Sequence, residues 1–292
     1  MISVQSPSKI NLSLAITGRR SDGYHLLSSH VVFADLCDDL YLTPNDLGRP
    51  TLKVTGEFSS FLSGDIRNNI IIRGLYAVAY KANQSVGFDI HLVKNTPIGA
   101  GLGGGSSNAA MVVKTLIDYW KVDIHKDALQ DLLLKLGADV PVCYYGLPCM
   151  MEGIGEDISP LPILGADIPA LIIYPRCVLS TPKIFQAGGF DFRKNTPYVP
   201  TIFKGIKNIQ QWKEVISSYC NDLTHNAIKQ EPEIQMALDI LSRFDECFFY
   251  RMSGSGSACF GLFENSQARD HASTEIEKQY SEWFIAPANI AI

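Results

Sequence analysis

The stretch of this 292-residue chain best suited to chemistry is Thr96-Pro-Ile-Gly-Ala-Gly-Leu-Gly-Gly-Gly-Ser-Ser-Asn108, where Gly99, Gly101, Gly103, Gly104 and Gly105 fall within seven positions. Glycine packs nothing and destabilises a helix or strand interior by roughly 0.5–1 kcal/mol relative to alanine, so such a run serves unusual dihedrals or close ligand approach. Ala109, Ala110, Met111, Val112, Val113, Leu116, Ile117, Tyr119 and Trp120 follow as a largely buried helix, capped by Ser106, Ser107 or Asn108. A glycine loop feeding a helix N-terminus aims backbone N–H groups outward at the positive end of the dipole, an arrangement suited to phosphate. The plainer reading is a flexible turn between strand and helix. A second glycine-serine stretch, Met252-Ser-Gly-Ser-Gly-Ser-Ala258, weighs against it.

Two further positions carry charge near structural punctuation. Residues 9–17 alternate, with Ile10, Leu12, Leu14 and Ile16 on one face and Lys9, Asn11, Ser13 and Thr17 on the other. That pattern predicts a half-buried strand, and the Lys9 and Asn11 face reads most simply as solvated. Asp139 is a single carboxylate between a helix ending near Leu136 and Pro141, a place where aspartate usually serves a turn or a cap.

The elements that must position these groups follow from periodicity. A strand is expected from His30 to Leu36, short strands at Leu40–Thr43 and Leu52–Thr55, and a strand at Val86–Val93 that runs into the glycine loop. Asn68 or Asn69 caps a helix through Ile72, Leu75, Tyr76 and Ala79, and Lys126–Leu136 forms another that ends at Gly137. In the second half, Ala170–Tyr174 reads as a buried strand. Ser180-Thr-Pro-Lys-Ile-Phe185 leads into a helix, and the stretch from Gly188 to Gly205 is poorly patterned. Helices are expected near Ile209–Tyr219, Thr224–Ile228 and Glu233–Phe244. Strands at Cys247–Arg251 and Ala258–Phe263 flank the second glycine-serine loop, and a helix at Ala268–Tyr280 closes the pattern. A soft boundary near residue 150 gives domains 1–150 and 151–292.

Composition narrows the function classes. With 46% apolar and 19% charged residues and a net charge of −5, the chain lacks the basic excess of nucleic-acid or anionic-membrane binding, so an anionic ligand must be held locally. No apolar run has the length of a membrane span and the N-terminus has no signal-peptide pattern, so a cytoplasmic location is expected. Seven scattered cysteines without a C-x-x-C pair suggest neither a disulfide framework nor a zinc site, and six histidines show no ligand spacing.

Gly99, Gly101 and Gly104 satisfy G-x-G-x-x-G, but a dinucleotide-binding unit places this turn straight after its first parallel strand. Here a hairpin-like sheet comes first and Pro97 interrupts the approach. No G-x-x-x-x-G-K-[ST] and no protein-kinase catalytic signature is present. Instead, Pro97 to Ser107 resembles the central phosphate motif of the galactokinase, homoserine kinase, mevalonate kinase and phosphomevalonate kinase superfamily. Ser8-Lys-Ile-Asn-Leu-Ser-Leu14 resembles its N-terminal motif and Met252 to Ala258 its third. Arg20-Ser-Asp-Gly-Tyr-His25 and Leu136-Gly-Ala-Asp-Val-Pro141 are similar to one branch, which phosphorylates a cytidine diphosphate-linked methylerythritol in the non-mevalonate route to isoprenoids.

The resemblance implies a two-domain α+β small-molecule kinase, with an ATP-binding N-terminal part, a ferredoxin-like C-terminal part and an active site in the cleft between. Pro97, Gly99, Ala100, Gly101, Leu102, Gly103, Gly104, Gly105, Ser106 and Ser107 are implied to wrap the ATP phosphates. The hydroxyls of the two serines are implied to contact either phosphate or a hydrated Mg²⁺, whose ligands the resemblance leaves unknown. Asp139 is implied as the catalytic base and Lys9 as its cationic partner; Asn69 and Lys94 border the adenine pocket. Tyr24 and Phe185 stack on the two faces of cytosine, His25 bonds its edge, and Thr181 and Pro182 wall it. Asn11 meets the reacting end, and Gly254, Ser255 and Gly256 hold the diphosphate. The rivals are a sibling kinase for homoserine or a mevalonate-like alcohol, or an inactive nucleotide-binding relative. Tyr24, His25 and Phe185 argue against the first, and Lys9 with Asp139 against the second. Oligomeric state is left open.

Overall fold

The computed structural model describes residues 1–62, 65–192, 206 and 208–292. The chain divides into two compact units whose segments alternate in sequence. The first comprises Met1–Ser8, Leu36–Ile98 and Gly103–Gly146, and the second Lys9–Asp35, Gly99–Leu102 and Leu147–Ile292. Two strands, β1 (Ile2–Asn11) and β3 (His25–Pro44), contribute to both.

In the first unit, β5 (Phe88–Val93) lies between the end of β3 and β4 (Thr51–Thr55), antiparallel to β3 and parallel to β4. A parallel pair needs a crossover, and α1 (Ile70–Ala82) supplies it. It packs on α2 (Gly104–Trp120), and α3 (Lys126–Leu136) and the short α4 (Val140–Tyr145) complete the helical layer. Ile72, Leu75 and Val78 of α1, Val112, Val113 and Leu116 of α2, and Leu40, Leu42 and Leu92 of the strands form its core. Burying each such side chain stabilises by roughly 1.5–3 kcal/mol.

The second unit carries β8 (Asp167–Tyr174), β9 (Cys247–Met252), β10 (Cys259–Phe263) and β11 (Phe284–Ala291) in the antiparallel order β11-β8-β10-β9. Between β8 and β9 run α5 (Thr181–Gln186), α6 (Ile209–Ser217), α7 (Thr224–Gln230) and α8 (Glu233–Leu241); α9 (Ser266–Gln279) links β10 to β11. Counting one helical crossover before the β9–β10 hairpin and one after, this is the β-α-β-β-α-β ferredoxin-like arrangement the resemblance implied. Leu171, Ile173, Ile234, Ile240, Leu241, Phe263 and Ile276 fill it. The start of β3 adds β2 (Ala15–Arg19) and β6 (Cys149–Gly153), and β7 (Asp157–Pro160) pairs with β6.

Several expectations are corrected. The strands foreseen at 30–36 and 40–43 are one 20-residue β3, because no glycine or proline interrupts the chain between Gly23 and Pro44. Residues 9–17 split between β1 and β2, and three of the four polar-face residues are as buried as the apolar ones: Lys9 is 3% exposed, Asn11 0% and Ser13 1%, with Thr17 partly buried. The cap of α2 is Gly103, at φ 65°, rather than a serine or asparagine. The left-handed backbone starts the helix early and leaves Ser106, Ser107 and Asn108 inside it. Pro141 opens α4 instead of ending regular structure, since proline suits the first turn, and Asp139 is its N-cap residue. Strands β6, β7 and β11 were not foreseen. Most of the poorly patterned stretch from Gly188 to Gly205 lies outside the described residues.

Candidate active site

The glycine loop is anchored within the second unit by backbone. The Leu102 carbonyl accepts from Lys9 N–H at 2.8 Å, and the Ala100 carbonyl accepts from Ala258 N–H at 3.0 Å. The Gly101 carbonyl accepts from Ser253 Oγ at 3.0 Å, and that same hydroxyl accepts from Asn11 N–H at 3.2 Å. A Cβ on Gly101 would stand 2.1 Å from the Ser253 carbonyl oxygen, so glycine is required there by the neighbouring loop. Asn221, unsuspected from the sequence, donates to the carbonyls of Met252 and Gly254 at 2.8 Å each and so fixes that loop from beneath. Lys9, Asn11, Ala100, Gly101, Leu102 and Gly254 are thereby brought together.

Lys9 is set in a polar chain. Its Nζ donates to Asn11 Oδ1 at 2.7 Å, Asn11 Nδ2 donates to Ser29 Oγ at 2.7 Å, and Ser29 Oγ donates to the Ser13 carbonyl at 2.5 Å. A buried ammonium is tolerated only when its donors are used, and this chain supplies the acceptor and fixes its direction. Asp139, in the first unit, starts α4 without bonding that helix's own amides. It therefore stands at the positive end of a short helix.

The first turn of α2 is the part of the expected phosphate loop that lies in the first unit. Ser107 N–H makes the first intrahelical bond, to the Gly103 carbonyl at 2.8 Å, so the amides of Gly104, Gly105 and Ser106 have no partner within the helix. Gly105 is exposed, and a Cβ placed on it meets no atom within 4 Å. The open approach at Gly105, beside amides left without intrahelical partners, would suit a phosphate chain. Ser106 is half-buried and Ser107 wholly buried; Ser107 Oγ is buried without a hydrogen-bond partner. Among the described residues no group of three or more histidine, cysteine, aspartate or glutamate side chains is placed to hold a metal.

Asn69 is the N-cap of α1, its Oδ1 accepting from Ile71 N–H at 2.9 Å. Lys94 is 2% exposed and paired with Asp38 at 2.5 Å. Burial pulls the Lys94 ammonium below its usual range, and Asp38 opposes that shift.

At the expected nucleobase end, the His25 ring lies 5.2 Å from Phe185 and 5.4 Å from Phe190, the latter edge-on. Burial first, and the Arg19 charge second, hold the His25 imidazole below its ordinary pKa, so it is neutral at pH 7 and offers both a donor and an acceptor. Tyr24 is 61% exposed, on a turn closed by Arg20 N–H bonding the Tyr24 carbonyl at 2.7 Å. Pro182 sits in the first turn of α5, and Thr181 Oγ1 is 2.8 Å from Ser255 Oγ. Phe190 and Asn226 were missed: Asn226 donates to the Gly188 carbonyl at 3.0 Å and ties down the segment that presents both phenylalanines.

Residues 69–147 match the GHMP kinases N terminal domain and residues 202–282 the GHMP kinases C terminal family. A 4-diphosphocytidyl-2-C-methyl-D-erythritol kinase of Paramagnetospirillum magneticum is 37% identical over 99% of this chain and 98% of its own. A crystal structure of 4-(cytidine 5'-diphospho)-2C-methyl-D-erythritol kinase superposes with a TM-score of 0.76 at 28% identity, covering 100% of both chains. Homoserine kinase from Cytophaga hutchinsonii shares the fold, with a TM-score of 0.73 at 16% identity over 100% of this chain and 94% of its own. Lys9 beside a laced pair of glycine loops, the ferredoxin-like second unit and this full-length likeness lead to one assignment: the chain belongs to the 4-diphosphocytidyl-2-C-methyl-D-erythritol kinase family.

Proposed function

We propose that this chain transfers the γ-phosphoryl group of ATP to the 2-hydroxyl of 4-diphosphocytidyl-2-C-methyl-D-erythritol, releasing ADP and the 2-phosphate, in the cytoplasm. The observation that carries the reading is the buried Lys9 ammonium, hydrogen-bonded to Asn11, on a strand whose amide holds the glycine loop. In keeping with that location, no described helix is long and apolar enough to cross a membrane, and all seven cysteines are free thiols.

Phosphoryl transfer has a loose transition state, so the protein's task is alignment and charge neutralisation. The α2 amides and the Gly99–Gly105 backbone bind the phosphate chain. Ser106 and Ser107, at the same loop, would face a Mg²⁺ brought with the nucleotide, which when bound would supply charge neutralisation on the donor side. Asp139 accepts the proton of the acceptor hydroxyl late in the transfer, and Lys9 stabilises negative charge on the attacking side. His25, neutral and seated against Phe185, bonds the cytosine edge while Phe185 stacks on its face.

Supplying ATP and Mg²⁺ with each candidate alcohol and measuring ADP tests the reading. Turnover is expected with the cytidylyl substrate and not with homoserine or mevalonate; the reverse pattern overturns it.

A further inference from the structure

Asp38 of β3 has no place in the roles above, yet it is completely buried and both of its carboxylate oxygens are engaged. Its Oδ2 takes Lys94 Nζ at 2.5 Å, and its Oδ1 accepts from the backbone N–H groups of Asn95 and Thr96 at 2.8 Å each. Thr96 Oγ1 donates to the same carboxylate at 2.8 Å and accepts from Lys94 Nζ. Lys94 is in turn held through its main chain, its N–H donating to the Thr55 carbonyl at 2.7 Å and its carbonyl accepting from Phe58 N–H at 3.2 Å.

This triad lies directly against the start of α2. A Cβ on Gly104 would be 2.6 Å from Thr96 Oγ1 and 2.9 Å from Lys94 Nζ, so the first residue of the phosphate-directed helix is seated on these two polar tips. One carboxylate therefore clamps residues 94–96, where the chain leaves β5 for the glycine loop, and supports Gly104, where it returns to helix. A buried ion pair is an expensive way to gain stability, since apolar residues of similar volume often serve as well or better. Nor does the pair attract phosphate by net charge, because Asp38 neutralises Lys94. What it supplies that apolar packing lacks is direction.

We propose that Asp38, acting through Lys94 and Thr96, is a positioning residue that fixes the first turn of α2 for the phosphates of the nucleotide. The inference rests on the kinase reading above. It is tested on the full chain with Asp38→Asn, Thr96→Val and the double variant Asp38→Asn with Lys94→Met, following binding of a non-hydrolysable ATP analogue, KM for both substrates, kcat and Tm.

Misplacement of binding groups by a fraction of an ångström should weaken analogue binding and raise the ATP KM by about tenfold or more in Asp38→Asn, and by about threefold in Thr96→Val, with the acceptor KM within about twofold of wild type. The double variant, free of unpaired charge, should regain Tm but not ATP affinity. Recovery of both overturns the proposal, as does a fall in Tm and active fraction with unchanged ATP KM. Should Asp38→Asn fail to fold, the other two variants decide by the same readouts. A wild-type chain that binds no analogue overturns the kinase reading and this inference together; wild-type binding left unaltered in folded variants overturns this inference alone.

Discussion

At the scale of single residues, the two groups given catalytic roles are held in unlike ways. Lys9 is bonded to Asn11 on a strand, whereas Asp139 is the N-cap residue of the short helix α4. Asp139→Asn keeps the volume and removes the base. General-base loss costs typically about 10²–10⁴ in rate, so kcat should fall by that order while calorimetric binding of an ATP analogue is retained; unchanged kcat removes Asp139 from the mechanism. His30 makes a different point. Its ring is buried in β3 with Nδ1 3.2 Å from the Tyr219 hydroxyl, and burial lowers its pKa from 6.5 to about 3. The folded state therefore refuses a proton that the unfolded chain accepts below pH 6.5, so this contribution is complete at neutral pH and is lost as pH falls toward 3. Between pH 7 and pH 5 the loss is about 2 kcal/mol, and His30→Asn should flatten that part of the stability profile in denaturant titrations. Equal pH dependence in both proteins contradicts it. Residue chemistry of this kind is poorly legible in sequence: Lys9 looks solvated by alternation, and Asp38 and Asn221 act on partners distant in the chain that no local pattern reveals.

At the scale of elements, the helices were legible because a 3.6-residue apolar stripe and its caps are local, and α3 begins and ends at the expected residues, Lys126 and Leu136. Strand β11 was not. Pro287 and the alanines break its alternation, and a proline argues against a paired strand. The structure accommodates it because β11 pairs with β8 along its whole length but with β3 only at Ile290 and Ala291, leaving Pro287 a ladder on one side only. The glycine loop was readable as a loop feeding a helix N-terminus, but not which of its glycines the fold itself requires. Gly101 and Gly104 are dictated by protein neighbours, whereas no protein atom lies within 4 Å of a Cβ on Gly105. Gly105→Ala should consequently leave folding intact or stabilise α2 by up to about 1 kcal/mol, as alanine does in a helix, while a methyl group in the phosphate approach raises the ATP KM. Thermal denaturation and steady-state kinetics on one preparation check both halves. A variant with raised Tm and unaltered ATP KM places the phosphates away from Gly105.

At the scale of the molecule, a net charge of −5 provides no broad attraction for two polyanionic substrates, so their affinity has to come from local donors and from the nucleobase end. The second unit is built from Lys9–Asp35, Gly99–Leu102 and Leu147–Ile292, so it is completed only when chain from both ends of the sequence has come together, whereas the first draws on residues 1–146 alone. Ligands that bind only folded chain raise stability by mass action. At one hundred times Kd the gain is about 2.7 kcal/mol, or roughly 4–5 °C in Tm for a chain of 292 residues. An ATP analogue with Mg²⁺ and, separately, the cytidylyl alcohol are each expected to give such a shift. Recognition at the aromatic end predicts that cytidine diphosphate alone stabilises and that methylerythritol phosphate, which lacks a base, does not at equal concentration. Phe185→Ala should abolish most of the cytidine diphosphate shift, because base stacking is worth roughly 1–3 kcal/mol, and leave the ATP-analogue shift in place. Equal stabilisation by the sugar phosphate, or equal loss of both shifts in the variant, would mean that His25 and Phe185 pack the fold without reading the base.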